Sequence, residues 1–403
     1  MKFSFTDGEK IGFYKDGKTE KFESSYIERY KETARRSAKN SEWKKNSDLM
    51  LYEGFVNDNN EVRAEILSVC PTFEENKILY SFAVNESFGI YWKDLEDEKK
   101  TEAHFLTSNE EIFSDLSVNN TGDILGKVQK DPYASDIVVF SKNGGDYKTL
   151  TGGDSLDENP FFTQQGIWFN SYGIGRNVNN EFVKYVPSEI LRLNPVSMQI
   201  ETVISDENYS FIKPVLDGEG NLYCIKKEGE EKEKKNVFLE ILLIPVRIIQ
   251  AIVGFISMFV TIFTGKPLVE GKGRSSYGGS AAKNPDGKKI FLHQTLLNVE
   301  KEMKKNKNTE NGGFIPRSFK LVKIDLSNKE NVEELTSGVA DFCLVEEEGE
   351  QALFYTNGKH IFQLKIEKGE WKRRKILNTD CCLKIASLNG LKTQEKEELF
   401  FQL

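Results

Sequence analysis

The sequence predicts an all-β protein from two observations, its amino-acid composition and a repeated pattern of turns and strands. The chain has 403 residues with 28 Phe against four Trp, and its many Val, Ile and Tyr residues favour strands over helices. A turn rich in Asp, Asn, Glu and Gly, followed by a short apolar strand, recurs with a spacing of about 45 residues. In an all-β chain this spacing is typical of four-stranded propeller blades, so we expect a β-propeller.

The repeat is recognised by its turns and the strands that follow them. The turn residues tolerate positive φ or bond their own backbone, while the strand residues suit a half-buried pleat. A second strand tends to come next, as in GIYWKDL (89–95) and DIVVFSK (136–142). The six units read FTDGEKIGFY (5–14), PTFEENKILYSF (71–82), SVNNTGDILGKV (117–128), PFFTQQGIWFNS (160–171), PVLDGEGNLYCI (214–225) and VEEEGEQALFYT (345–356).

Five blades can be assigned along the chain, and the two chain ends supply a sixth. The start, FSFTDGEKIGFYKDGKTEKF, and the end, DCCLKIASL with EELFFQL, each offer about two strands. Closure by both ends would leave no free sheet edge. We expect one six-bladed β-propeller over 1–403 with two helical insertions; a pair of β-sandwiches is the alternative. The predicted blades are 64–105, 106–150, 151–203, 204–336 and 337–377.

These turns and strands resemble the TolB-like family of six-bladed propellers, with repeats of the WD40-like or PD40 type. The resemblance lies in PVLDGEGNLY, NPDGKKIFL and FKLVKIDLSNKENVEEL, and it covers most of the chain outside the insertions. Several turns depart from the family pattern, with Glu-Asn or Gln-Gln where the family prefers Asp-Gly. The family's propeller also occurs in prolyl-oligopeptidase-type peptidases. Since the propeller accounts for most of these 403 residues, we expect no hydrolase domain of the kind that accompanies it in those peptidases.

The first insertion, 23–48, has no strand pattern and predicts a basic amphipathic helix. Ile27, Tyr30, Ala34 and Ala38 recur at helical spacing, and Ser24 or Ser25 could cap the start. Basic residues outnumber acidic ones from Lys31 to Lys45. Such a helix suits an anionic membrane or an acidic partner; a solvated helix on the side of the ring is the alternative.

The second insertion, 228–318, lies inside the fourth blade and contains the most apolar stretch of the chain. The stretch FLEILLIPVRIIQAIVGFISMFVTIFTG (238–265) predicts a helix over 237–264 in a protein whose mean hydropathy is −0.49. Its few polar or small residues form one stripe, so the apolar surface is wider than a flanking helix needs. A single membrane crossing would separate strands that blade four must bring together. We therefore expect the segment to leave and return on one face.

Three arrangements of this segment remain open, and a helix lying in one membrane face is the first. The second is pairing with another copy or a partner helix, and the third is packing on its own domain. Residues predicted to contact lipid are Phe238, Leu239, Leu242, Ile248, Ile249, Ile252, Phe255, Ile256, Phe259, Ile262 and Phe263; those near headgroups are Lys234, Lys235, Arg247 and Lys266; those of a helix-packing stripe are Gly254, Ser257 and Thr261.

No pattern of catalytic, cofactor-binding or metal-ligating residues is recognisable. His104, His293 and His360 form no HExxH pair, and GxSxG and GxxxxGK[ST] are absent. The turn Asp217–Asn221 lacks the spaced carboxylates of a calcium loop. The five cysteines include no CxxC, which predicts reduced thiols packed in strands. We therefore expect no cofactor and no catalysis; a hydrolase or lyase site in the central channel is the alternative.

The expected function is recognition or scaffolding at a membrane. The net charge of −8 argues against a nucleic-acid partner, and the start MKFSFTDGEKIGF has no signal-peptide pattern. We expect a cytoplasmic protein, peripheral or monotopic on the inner membrane face. Its partner would be the lipid surface or a protein, with no small-molecule substrate identified. A soluble propeller that forms homo-oligomers or binds a partner through the apolar helix is the alternative.

Overall fold

A computed structural model gives the fold of most of the chain. It describes residues 1–45, 62, 64–72, 74, 76–96, 102–119, 121–142, 144–228, 289–307, 312–347, 350–367 and 370–387, of which 38–45, 330, 347 and 350 are described by their backbone alone. Apart from Glu228, these residues belong to one compact unit, Met1–Lys227 with Gly279–Leu403. The second unit, Glu228–Gly278, is otherwise outside the described residues, and so is the predicted apolar helix 237–264.

Six antiparallel sheets of four main strands each confirm the prediction of a six-bladed β-propeller. Within a blade, strands that follow one another in the chain are hydrogen-bonded neighbours. We number blades one to five in chain order, and blade six joins the two ends. The chain begins with β1 (Lys2–Asp7), β2 (Lys10–Lys15), β3 (Lys18–Glu23) and helix α1 (Ser25–Lys45). Blade one follows with β4 (Ala64–Pro71), β5 (Lys77–Val84), β6 (Ser87–Asp94) and β7 (Glu102–Ser108).

Blades two and three continue the pattern, and blade three carries one extra strand. Blade two contains β8 (Ile112–Val118), β9 (Ile124–Gln129), β10 (Asp136–Phe140) and β11 (Tyr147–Thr149). Blade three contains β12 (Ser155–Thr163), β13 (Gly166–Arg176), β14 (Phe182–Tyr185), β15 (Glu189–Leu193) and β16 (Ile200–Ile204). Strand β14 pairs with the far end of β13, outside the four main strands.

Blades four to six complete the ring. Blade four contains β17 (Tyr209–Leu216), β18 (Asn221–Glu228), β21 (Phe319–Asp325) and β22 (Asn328–Ser337); between its halves lie the hairpin β19 (Lys289–Leu292) with β20 (Thr295–Asn298) and helix α2 (Val299–Asn306). Blade five contains β23 (Asp341–Glu347), β24 (Glu350–Thr356), β25 (Gly358–Glu367) and β26 (Glu370–Cys382), and β27 (Ile385–Ala386) joins β1–β3 in blade six.

Blade six has three strands from the N-terminal end and one from the C-terminal end, so the expected division of two and two was wrong. The DCC of the predicted terminal strand belongs to β26, which is 13 residues long and forms the outer strand of blade five. Residues 18–23 form β3. Its side chains are mostly exposed and polar, so the sequence lacks the alternation of apolar and polar residues that predicts a strand. The EELFFQL segment (397–403) lies outside the described residues.

A short pairing closes the ring and side chains reinforce it. Strand β27 pairs with β1 only through Ser4↔Ala386 and Phe5↔Ile385. The Asp7 carboxylate accepts the backbone N–H groups of Asp380 at 2.7 Å and Cys381 at 2.9 Å. Because these bonds join the first strand to residues beside the last one, the two chain ends stay together despite their brief ladder.

The hydrophobic core lies in layers between neighbouring blades. Between blades one and two, for example, Leu79 and Ile90 pack in the same cluster as Phe113 and Phe140. Alternating strand residues point to the two faces of each blade, so both faces are covered by a neighbour. All five cysteines are buried and none is in a disulfide.

Helix α1 lies within the range predicted for the first insertion, and its first turn packs against blade one. Ile27 and the partly buried Tyr26 join the cluster of Phe82 and Tyr91. The Tyr26 ring is 4.8 Å from that of Phe82. Ser24 Oγ accepts the Ile27 N–H at 3.3 Å, an N-cap contact.

Candidate functional site

The innermost strands of the six blades line a central channel, and three of them break regular strand geometry there. Asp115, Asn159 and Lys213 have φ values of +51°, +54° and +56°. The pairing register shifts beside Asp115 and Asn159, as a β-bulge requires. Left-handed backbone at residues other than glycine is strained and persists only where the surroundings fix it. Here each such residue contributes its side chain to the channel wall.

Ion pairs connect these side chains around and across the channel. Lys384 Nζ, from the segment before β27, donates to Asp115 Oδ1 of blade two at 2.6 Å. Lys213 Nζ of blade four lies 2.7 Å from Asp341 Oδ1 of blade five and donates to the carbonyl of Ile385 at 2.9 Å. We call Asp115, Asn159, Lys213, Asp341 and Lys384 the channel ring.

Backbone and amide contacts complete the channel ring. Asp341 Oδ2 accepts the Ile385 N–H at 2.8 Å, and Asn159 Oδ1 lies 3.4 Å from Lys384 Nζ. Asn170 Oδ1 accepts from Asn159 Nδ2 at 2.9 Å and from the Lys213 N–H at 3.0 Å. The polar groups of five blades are therefore linked into one network, which fixes their positions.

The acidic and basic members differ in exposure. The side chains of Asp341 and Asp115 are 1% and 3% exposed, whereas those of Lys213 and Lys384 are 17% and 25% exposed. A cavity of about 60 Å³ lies between them, room for a few water molecules. All four residues line this cavity, and the lysine side chains are more exposed than those of the two aspartates.

The mutual pairing holds these groups in their charged forms. Burial alone would raise the pKa of Asp115, but Lys384 and Lys127 outweigh it, and the pKa lies well below the usual range. Burial alone would lower the pKa of Lys384, but Asp115 and Asp341 raise it above the usual range. Lys127, which lies 2.8 Å from Glu158 and 3.8 Å from Asp115, has a raised pKa for the same reason.

His293 is the one buried histidine among the described residues, and it occupies the two-residue turn between β19 and β20. Its φ of +47° and that of Gln294, +59°, fit a type I′ hairpin turn. The imidazole Nε2 is 2.7 Å from the Ala340 carbonyl, to which it donates. Burial, followed by the charge of Lys384, lowers the pKa of His293 to about 3. His293 therefore stays neutral in the folded protein at physiological pH.

We expect His293 to make the fold sensitive to acid. The unfolded chain takes up this proton near pH 6.5 and the folded one only near pH 3, so stability falls as pH drops through that window. The maximum slope is about 1.4 kcal/mol per pH unit. The contribution of His293 is measured by urea unfolding of the wild type and of His293→Asn across this pH range. Asparagine is chosen because it also tolerates positive φ. A parallel pH dependence of the two proteins would contradict this assignment.

The predicted lipid-contact, headgroup and helix-packing residues, 234–266, all lie outside the described residues. Among the described helices none is long and apolar enough to span a membrane. Asp217 uses its carboxylate within its own turn, accepting the N–H groups of Glu219 at 3.0 Å and Asn221 at 2.8 Å. His104 is exposed, and His360 Nδ1 lies 2.9 Å from Asn378 Oδ1 on the neighbouring strand β26.

The channel ring was missed at the sequence level, although one signal marks part of it. Asn159-Pro160 in DENPFF and Lys213-Pro214 in FIKPVL place a polar residue before a proline inside a strand. Proline within an inner strand indicates a bulge, because it cannot donate to the ladder. Asp115 has no such neighbour, and its partner Lys384 is 269 positions away.

Comparison with known proteins finds similarity of fold but no related sequence. No family model and no curated protein matches the sequence. Similar solved structures include TolB from Acinetobacter baumannii, at 10% identity and a TM-score of 0.47 over 96% of this chain and 65% of that one. A chain of a nidogen–laminin complex matches at 7% identity and a TM-score of 0.47 over 96% and 97% of the two chains. Tricorn protease matches at 14% identity and a TM-score of 0.42 over 94% and 30%.

The sequence predicts a resemblance to TolB-like propellers, and the match to a solved TolB structure confirms that resemblance in fold. The chain spans 65% of the length of the Acinetobacter baumannii TolB chain. At such low identities and TM-scores the likeness carries no information on activity, and the propeller assignment rests on the sheet topology of this chain.

Proposed function

We propose that this chain is a non-catalytic recognition platform, held against one membrane face by the insertion in blade four. The supporting observation concerns the two ends of that insertion. Lys227 pairs with Phe319 in the β18–β21 ladder, and Lys227 Nζ also donates to the His293 carbonyl at 2.9 Å. The chain therefore leaves blade four after Lys227 and re-enters it at Phe319, directly opposite on the neighbouring strand, and the turn of the hairpin β19–β20 is held at the same point. An apolar segment with both ends so placed suits attachment to one face.

The outer side of the hairpin supports lipid contact. Phe291 and Leu296 are directly opposite each other across β19 and β20, and they are 52% and 63% exposed. Their neighbours Ile290, Leu292 and Leu297 are buried in the core, which holds the hairpin in place. Phe291 and Leu296 thus form an exposed apolar pair in the same insertion as the predicted apolar helix 237–264, which favours contact of this insertion with lipid.

The electrostatics of the channel support a non-catalytic role. A general acid or base works best with a pKa near the operating pH. In the channel ring, the pKa of Asp115 is lowered and that of Lys384 is raised, so both groups keep their charges at neutral pH. Proton transfer by these two groups is therefore disfavoured. We place the protein on the cytoplasmic face, where Lys234, Lys235, Arg247 and Lys266 would meet anionic headgroups.

Liposome flotation tests the membrane part of the proposal. The intact chain is expected to float with anionic vesicles, and a variant with 236–266 replaced by a Gly/Ser linker is expected to stay at the bottom while remaining folded. Phe291→Ser with Leu296→Ser should weaken vesicle binding by roughly 10-fold, because two large apolar side chains lose their lipid contact.

The matched control replaces two exposed valines elsewhere, Val178→Ser with Val196→Ser, and should float like the wild type. If the intact chain stays at the bottom and forms concentration-dependent oligomers, the insertion joins copies of the protein instead. If the linker variant aggregates without lipid, the insertion is part of the core, and membrane attachment is wrong.

A further inference from the structure

We propose that the channel ring binds an oxyanion, in the first place a peptide carboxylate, through Lys213 and Lys384. This site goes beyond the proposed function and makes no use of the membrane. It rests on three observations: which charges face the cavity, which N–H groups remain available, and how much room the cavity offers.

The exposure of the charges selects an anion over a cation. Asp341 and Asp115 also line the cavity, but they are only 1% and 3% exposed, and each is paired with an ammonium group. Lys213 and Lys384 are 17% and 25% exposed and line the cavity. The lysine side chains are therefore the more accessible charged groups of the cavity wall, so oxygen acceptors with negative charge fit best.

Each of the two lysines keeps hydrogen-bonding capacity. An ammonium group has three N–H donors. Lys384 donates to Asp115 Oδ1 and Asn159 Oδ1, whereas Lys213 donates to the Ile385 carbonyl and forms an ion pair with Asp341 Oδ1. Among the described residues, each Nζ thus has two oxygen partners and one N–H without an oxygen acceptor. Two such donors lining one cavity match the two oxygens of one carboxylate.

The cavity volume and the strained backbone fit the same ligand. About 60 Å³ holds a carboxylate or a phosphate group in place of a few waters. Lys213 is held at a φ of +56°, and strain of this kind is typical of ligand-binding positions. Within the ring the charges cancel, so binding depends on short hydrogen bonds. We expect a dissociation constant on the order of 1 mM.

Saturation-transfer difference NMR on the full chain tests the site. The probes are acetyl-triglycine with a free C-terminal carboxylate and the same peptide with a C-terminal amide. The acid is expected to give a signal at least about five-fold stronger than the amide, which corresponds to the net contribution of about one ordinary hydrogen bond. Lys213→Met with Asp341→Asn removes the facing cation and its partner together, and should lower the acid signal to the amide level.

A second pair of variants keeps every ion pair of the ring intact. Ala386 lines the cavity, so Ala386→Asp introduces a competing carboxylate and should abolish the acid signal, whereas Ala386→Asn should retain more of it. Lys142→Met is the matched lysine control, because its pair with Asp123 is 62% exposed on the lysine side and outside the cavity lining. This control should bind like the wild type.

Added phosphate separates the two sources of an oxyanion. If phosphate displaces the acid peptide at lower concentration, a free or headgroup phosphate is the ligand of the site. If only carboxylates bind, a peptide end or acidic side chain is the ligand. Equal signals from acid and amide peptides, or an undiminished acid signal in both Lys213→Met/Asp341→Asn and Ala386→Asp, would overturn the proposal.

Discussion

Replacing Asp115 with alanine is expected to destabilise the propeller by about 3–5 kcal/mol, because it removes the buried carboxylate that pairs with both Lys384 and Lys127. Lys384 Nζ lies 2.6 Å from Asp115 Oδ1, and Lys127 lies 3.8 Å from Oδ2. Lys384 also belongs to the segment that leads into the closing strand β27. Loss of Asp115 therefore weakens a contact across the channel and the closure of the ring at the same time. Urea unfolding followed by tryptophan fluorescence measures the change.

A surface pair provides the control for this prediction. Arg192 Nη2 lies 2.6 Å from Glu201 Oε1, with side chains 31% and 59% exposed. Glu201→Ala should cost less than about 1 kcal/mol, because solvent screens exposed ion pairs. The double variant Asp115→Asn with Lys384→Met removes both charges and should recover much of the lost stability. Equal urea midpoints for Asp115→Ala and Glu201→Ala would show that the channel ring does not contribute to the stability of the fold.

The blade order was predictable because each blade is a local structure. A turn such as Asp217–Asn221 satisfies its own backbone, and the strands β17 and β18 on either side of it pair with each other. Local patterns of this kind repeat along the chain and need no information from distant residues. The predicted limits of blades one to five accordingly agree with the observed strands to within a few residues.

The closure of the ring was harder to predict in detail, for a physical reason. Strand β27 is two residues long, and its pairing with β1 joins positions nearly four hundred residues apart. Hydrophobic alternation cannot mark so short a strand. The side chains of Asp7 and Thr6 also stabilise the closure, because they accept hydrogen bonds from the backbone N–H groups of Cys381 and Lys384. Such side-chain contacts leave no periodic trace in the sequence.

The channel ring escaped prediction because its members converge only in three dimensions. Asp115, Lys213 and Lys384 come from three different blades, and none forms a motif with its sequence neighbours. Each is a charged residue beside or within an apolar strand, and the exposed edge strand of a sheet carries charged residues in the same pattern. Only the topology of the ring distinguishes a side chain in the channel from one at the outer rim.

The second large effect is expected where helix α1 meets blade one. Lys93 Nζ donates to Glu102 Oε1 at 3.1 Å, and the two side chains are 2% and 0% exposed. Glu102 Oε2 also accepts from Ser25 Oγ at 2.7 Å and from the Tyr26 N–H at 3.3 Å, so one carboxylate holds the start of the helix. Glu102→Ala should lower the free energy of unfolding by about 3–5 kcal/mol, because Lys93 becomes an unpaired buried cation.

A second set of variants separates the ion pair from the helix contact. Lys93→Met with Glu102→Gln removes both charges and leaves an oxygen acceptor for Ser25 and Tyr26, so it should be more stable than Glu102→Ala. Limited trypsin digestion at Lys31 and Arg35 reports the helix separately. If the helix contact dominates, Glu102→Ala exposes these sites while Lys93→Met/Glu102→Gln protects them. If the unpaired charge dominates, Lys93→Met alone costs about as much as Glu102→Ala, because it leaves the buried Glu102 carboxylate without its cation, while the helix stays protected. Equal urea midpoints for Glu102→Ala and the wild type would contradict both, because a buried carboxylate with three hydrogen-bonding partners cannot be removed without cost.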